Sequence, residues 1–353
     1  MTGNPSFIPG LTLNREFFAE IVRPLLAAHY PQLHYAAGRL DHGSEVLGFD
    51  TPTSTDHDWG PRLQLFVAEK DEPLIPELRA LFDTRIPPSF RGYATHFGEP
   101  SWHHVTLTTP ERFFRNYLGC VPSPNVAPQQ WLTLSEQKLA TIRSGELCHD
   151  DLALDAYRAL IRYYPEDVWL YLMASQWMKI GQEEPFVGRC HQVGDDLGAR
   201  IIAARLVHTA MHMCFLLTRT YAPYSKWFGT GFANLPGISP VKQALSRAIS
   251  TADQDERESS LCEAYELLAA MHNALGVTPP LDTATRPFYS RPFVVIDGGR
   301  FARTIQDVIS DPDIRRLPLI GSVNQLSSTV DYLENDALLQ RSRVFYEAHD
   351  DEY

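Results

Sequence analysis

The sequence has no CxxC pair, and its five cysteines (Cys120, Cys148, Cys190, Cys214, Cys262) are widely spaced. That spacing argues against a zinc knuckle or a disulfide scaffold and predicts free thiols in a reducing compartment. No run of about 18 apolar residues appears, which predicts no membrane-spanning helix. The first ten residues lack the basic start and apolar stretch of a secretory signal. These absences predict a cytoplasmic protein without a membrane partner. Positive charge is scarce as well. Lys and Arg total 31 against 43 Asp and Glu, a formal net charge of −12. Long nucleic acid is a poor partner for such a chain, because binding it relies on Lys and Arg against phosphates. Internal repeats and low-complexity segments are also lacking.

What is present fits ordinary buried cores. The 353 residues are 44% hydrophobic and 21% charged, a length and composition that predict two domains. Residues 1–120 alternate between helical and extended patterns. Asn14 reads as the N-cap of an apolar run over residues 17–30, with a kink at Pro24. Residues 33–40, 45–49 and 62–67 read as strands, residues 76–82 as a short helix, and 102–109 as a further strand. Pro110 suits the first position of a helix. Pro122, Pro124 and Pro128 make residues 121–130 the linker candidate. From 131 to 353 the spacing is mostly helical, over 132–144, 151–163, 168–180, 193–221, 241–251 and 256–275. A strand over 291–296 and short helices from about 301 and about 324 follow. The fold class expected is α+β, a first domain with a sheet and a mostly helical second one.

One stretch carries chemistry. Gly43-Ser44 is followed, after eleven residues, by Asp56-His57-Asp58. A Gly-Ser turn lets backbone N–H groups and a hydroxyl approach phosphate oxygens. Two Asp at i and i+2 on a strand would share one face and form a hard-oxygen site suited to Mg²⁺. Magnesium there can neutralise charge that develops in phosphoryl or nucleotidyl transfer.

Gly43-Ser44 with Asp56-His57-Asp58 resembles the signature of the polymerase-beta-like nucleotidyltransferase superfamily. More specifically, the chain resembles the DUF4037 family of that superfamily, over about residues 15–335. That resemblance rests also on the segments starting at Arg112, Arg205 and Tyr221, the last reading Tyr-Ala-Pro-Tyr-Ser-Lys-Trp. It implies an N-terminal nucleotidyltransferase fold, a mixed sheet with flanking helices, joined to a helical domain. Gly43 and Ser44 would then hold the nucleotide's terminal phosphates, and Asp56 and Asp58 would act catalytically as Mg²⁺ ligands. The pattern departs at one point. The strand expected to bring a third acid, 102–109, has none, and Thr106 stands where a carboxylate is looked for. His104, sharing a face with Thr106 and Thr108 by period two, is a substitute base; the simpler alternative makes His103 and His104 ordinary strand histidines.

In the helical half, Arg205, His208, His212 and Arg219 fall on one stripe of an apolar helix. Charge there needs partners, either phosphates or Asp/Glu of neighbouring helices. His208 and His212 lack an evident third metal ligand. Lys226, between aromatics and followed by glycines, suits a triphosphate or an adenine ring, or else snorkels from a packed loop.

These readings make Arg205 and Lys226 candidate nucleotide contacts beside Gly43 and Ser44. The function expected is Mg-dependent transfer of NMP from an NTP, ATP first, to an acceptor hydroxyl in an interdomain cleft. The acceptor would be a small molecule or a protein. A catalytically weak nucleotide-binding scaffold or antitoxin-like module is the alternative.

Overall fold

The computed structural model describes residues 6–97 and 102–347. Its architecture is α+β, as the patterning predicts. Contacts group Met1–Val126 with Gln137–Arg162 as one unit, and Ala127–Glu136 with Tyr163–Tyr353 as the other. Residues 137–162, which lie past the proline-rich segment, thus fold with the first unit.

The first unit is built on a mixed four-stranded sheet: β1 (Tyr35–Arg39), β2 (Leu63–Val67), β3 (Val105–Thr108) and β4 (Glu146–Asp150), in the order β3-β2-β1-β4. Strand β1 runs antiparallel to β2 and β4, while β2 runs parallel to β3. A parallel pair needs a crossover, and helix α3 (Ile75–Arg85) lies in the segment that joins β2 to β3. One sheet face carries Tyr35, Ala37, Leu63, Leu65, Val105 and Leu107, packed with Phe17, Val22, Leu78 and Phe82 from helices. On β2, Phe66 alternates with those residues and meets Phe113 edge-on, ring centroids 5.3 Å apart.

Several expectations need correction. The first helical run is α1 (Gly10–Phe17), a π turn (Phe18–Val22) and α2 (Arg23–His29), so the chain turns helical before Asn14. Asn14 is not a cap; it is buried inside α1, and its Oδ1 accepts the backbone N–H of Arg62 at 2.7 Å. Residues 45–49 form a turn rather than a strand, since Gly48 N–H reaches Glu45 O and Phe49 N–H reaches Ser44 O. The strand expected over 102–109 splits at His104 into Trp102–His103 and β3. Strand β4 was not anticipated, because it lies where the spacing reads as helix on both sides. Pro110 does open a helix, Pro110–Leu118, capped by the Thr109 hydroxyl.

The second unit is helical. Glu166–Gln192, Asp196–Leu217 and Gln254–Ala274 are its long helices among the described residues. The first runs on through Gly181 and Pro185, where the spacing predicts an end. Packing overrides propensity here. A Cβ at Gly181 would lie 2.7 Å from the backbone N of Gly299, so glycine lets the helix Gly298–Val308 approach closely. Trp177 stacks on Phe301 at 4.4 Å in the same contact. Asp196–Leu217 is also, by length and composition, apolar enough to cross a membrane, yet it is mostly buried within its unit.

Candidate functional site

The site begins with a buried arginine. Arg39 ends β1 and is almost wholly buried, and its Nε donates to Glu45 Oε1 at 3.0 Å. It also pairs with Asp41 and donates to the carbonyl of His42. Burial, opposed by Glu45, pulls the guanidinium down to about 10. A buried cation needs such partners, which is why Glu45 folds back under the turn. That fold-back explains Gly43, whose φ of +148° favours glycine. A Cβ at Gly43 would sit 2.4 Å from the Glu45 carboxylate. The room left by the missing side chain is therefore taken by the chain's own Glu45. Ser44 follows, half-buried, in the turn.

The paired carboxylates lie on a loop, not on a strand. Asp56 ends a 3-10 turn (Pro52–Asp56) set by a capping box between Thr51 and Ser54. His57 is extended and Asp58 is left-handed, with φ of +45°. Strand β2 begins only at Leu63. The i, i+2 argument for a shared face therefore does not apply. Asp56 is 62% exposed and its Oδ1 meets His57 Nδ1 at 2.7 Å. Asp58 is exposed as well, and it is held through its backbone. Its carbonyl accepts from Arg62, whose other nitrogen lies 3.3 Å from His42 Nε2. Arg62 thereby joins the Asp-x-Asp loop to the Gly-Ser turn.

His42, beside the Gly-Ser turn, and Arg62 border a cavity of about 280 Å³ at the end of the sheet, whereas Gly43, Ser44, Asp56 and Asp58 are not among its lining residues. Arg39, His42, Arg62, Arg79, His104 and Thr106 are among the residues lining it. Two imidazoles there are kept neutral. Burial chiefly, with Arg39 and Arg62, lowers His42 to about 4; burial chiefly, with Arg62, lowers His104 to about 4. The Asp58 carboxylate opposes both shifts, which places its charge within electrostatic reach of the two rings. His104 precedes β3, and its carbonyl accepts from Leu63 N. It lines the cavity together with Thr106, which is exposed, while Thr108 is buried. His103 is structural, buried edge-on against Phe82 and accepting the Val105 N–H.

Two carboxylates suit a hard cation that arrives with a triphosphate, since Mg²⁺ at such sites takes one or two protein carboxylates and completes its shell with phosphate oxygens and water. Asp56 and Asp58 are the residues that would hold it. Among the described residues no three Asp, Glu, His or Cys side chains gather as a metal-ligating group.

The other two candidates, Arg205 and Lys226, belong to the second unit. Of the two partner classes open to the basic stripe, carboxylates are those present. Arg205 pairs with Glu183, Arg219 with Glu166, and His212 Nε2 with the buried Glu136 at 2.7 Å. Arg219 also lies over the Trp169 ring at 3.8 Å, and His208 stacks on Phe228 at 4.7 Å. Lys226 is exposed near the start of the helix Ser225–Ala233, 5.1 Å from the Trp227 ring.

What sequence reasoning missed was Arg62 and Arg39. A signal existed, since each stands at a strand end beside a Gly-containing loop.

Fold and geometry together define an α+β protein with a polar pocket at one end of a mixed sheet. Over residues 131–228 the chain matches the family model described as a domain of unknown function, DUF4037. No curated protein matches the chain.

Proposed function

We propose that the first unit is a nucleotidyltransferase-like module that moves an NMP from an NTP, ATP first, to an acceptor hydroxyl with Mg²⁺. One observation carries the reading: Arg62 ties the Asp58 loop to His42 beside the Gly43-Ser44 turn, at a cavity where the start of β3 also arrives. Ser44 and Arg62 are the groups suited to hold phosphate, by hydroxyl and by guanidinium fork. Bound Mg²⁺ supplies charge neutralisation at the phosphates. Asp56 and Asp58 hold that cation and orient the triphosphate. The acceptor oxygen forms a bond to the α-phosphorus, the bond from that phosphorus to pyrophosphate breaks, and the acceptor proton passes to a base.

A second reading is a nucleotide-binding scaffold or antitoxin-like module with weak turnover. Thr106 in place of an acid favours it, as does His104, which at about 4 is a feeble base at neutral pH. Neither reading of the first unit calls on Arg205 or Lys226, which belong to the second.

Thermal stability in ATP, GTP, CTP and UTP, with and without Mg²⁺, tests the proposal. A ligand that binds only the folded state stabilises it according to its concentration over Kd. The expected outcome is a Mg²⁺-dependent shift that disappears in Asp56→Ala/Asp58→Ala. Release of labelled pyrophosphate would select the enzyme, and binding without release the scaffold. No shift with any NTP would refute both.

A further inference from the structure

One wall of the pocket is aromatic, and phosphate transfer alone gives it no task. Trp102 lines the cavity and is 49% exposed, a state in which its indole leaves a large apolar face in water. It does not stand alone. Its ring stacks on the imidazole of His104, centroids 6.2 Å apart and planes 28° from parallel. One neighbour therefore helps fix the plane of the indole, so a flat ligand meets a partly ordered surface.

Two of the pocket's three arginines form no ion pair among the described residues. Arg39 pairs with both Glu45 and Asp41. Arg62 bonds only to a carbonyl and an imidazole, and Arg79 forms no ion pair among the described residues. The two pocket imidazoles add no charge at neutral pH. In a chain of net charge −12, two guanidinium groups that form no ion pair and line one concavity suit an outside anion. An inorganic anion would use the arginines and leave the indole idle; an uncharged aromatic would do the reverse. A ring joined to phosphates uses both.

We infer that Trp102, backed by His104, is the platform on which the base of the bound nucleotide stacks, with Arg62 and Arg79 meeting its phosphates. This rests on the nucleotide reading of the site and names the residue that senses the base. Trp102 is thus a specificity-determining residue, not a catalytic one. Stacking on a π-face is tolerant of base identity, so the platform selects nucleotide over bare polyphosphate more strongly than one base over another.

The test compares two probes, ATP and inorganic tripolyphosphate, both with Mg²⁺, by calorimetric titration of the full chain. Trp102→Ala should weaken ATP by about ten-fold or more and leave tripolyphosphate within about two-fold. Trp102→Phe should restore most of the ATP affinity, which a merely structural role for the indole would not require. Arg62→Ala should weaken both probes. ATP binding that is unchanged in Trp102→Ala, yet lost in Asp56→Ala/Asp58→Ala, would overturn the platform and leave the nucleotide reading standing. Equal loss of both probes in Trp102→Ala would also overturn it. Wild type that binds neither probe would remove the nucleotide reading and the platform together.

Discussion

The basic stripe of the helical unit and the pocket of the sheet unit hold their cations differently. In the helical unit Arg205, Arg219 and His212 each meet a carboxylate, and Arg219 adds a tryptophan face. In the sheet unit Arg39 is doubly paired, but Arg62 and Arg79 in the same pocket have no carboxylate among the described residues. Sequence spacing drew attention to the first group and passed over the second. On the conspicuous basic stripe of an apolar helix, Arg205, His212 and Arg219 already have carboxylate partners. Folding places a charge where it can be balanced, so a cation that stays unbalanced at a concave surface is the more informative one.

Removing a partner from a buried cation is the strongest way to test this contrast. Glu45→Ala would leave Arg39 with Asp41 alone in a nearly fully buried position. An unpaired buried charge costs about 4 kcal/mol; Asp41 keeps the loss here below that, while the Gly43 turn loses the group it is folded around. The expected outcome is a large fall in the urea midpoint, with the first unit affected before the second. Glu45→Gln should recover part of it by keeping a hydrogen-bond acceptor. If Glu45→Ala unfolds no more readily than wild type, the buried pair does not hold the turn.

In the helical unit the corresponding liability is a buried group that is neutral. His272 is fully buried, with Nε2 3.0 Å from the Thr278 hydroxyl, and burial lowers it from 6.5 to about 4. Between those two values the unfolded chain binds a proton that the folded chain does not. Stability is therefore complete above 6.5 and falls as pH drops toward 4. The depression corresponds to at most about 3 kcal/mol for this one residue. Denaturation at pH 7 and at pH 4.5 should show that loss, and His272→Gln should flatten its slope whatever it does to stability at pH 7. An unaltered slope in the variant would assign the acid sensitivity to other groups.

Much of this fold was legible because its signals are local. Pro110 opens a helix and Thr109 caps it, a two-residue signal that needs no tertiary context. The alternation around Leu63 and Leu65 gave β2 within one residue. Other elements depend on distant partners. Asn14 looks like a cap by composition, but the backbone of Arg62 claims its side chain from 48 residues away. Glu146–Asp150 becomes a strand only because the edge of β1 is open to it. At the site, Gly43, Ser44, Asp56 and Asp58 were readable as a motif, whereas their geometry was not. Pro52 and the Thr51–Ser54 capping box bend the loop out of the sheet before the acids are reached, so Asp56 and Asp58 never alternate on a strand.

The smallest expected effect is also the sharpest for the comparison between units. Arg205 is 59% exposed and pairs with Glu183. The guanidinium is screened by solvent, but Glu183 is only 12% exposed, so the pair contributes about 1 kcal/mol. Arg205→Ala should therefore lower thermal stability modestly, and it should leave ATP and tripolyphosphate titrations unchanged. Arg62→Ala should also cost little stability, because the guanidinium gives up a carbonyl and an imidazole rather than a buried carboxylate, yet it should weaken both anions. A small stability loss in both variants with unequal anion binding would separate a cation that closes the fold from a cation left for a ligand. The reverse pattern, anion binding lost in Arg205→Ala and kept in Arg62→Ala, would return the anion site to the helical stripe and remove the pocket's unpaired arginines from the account.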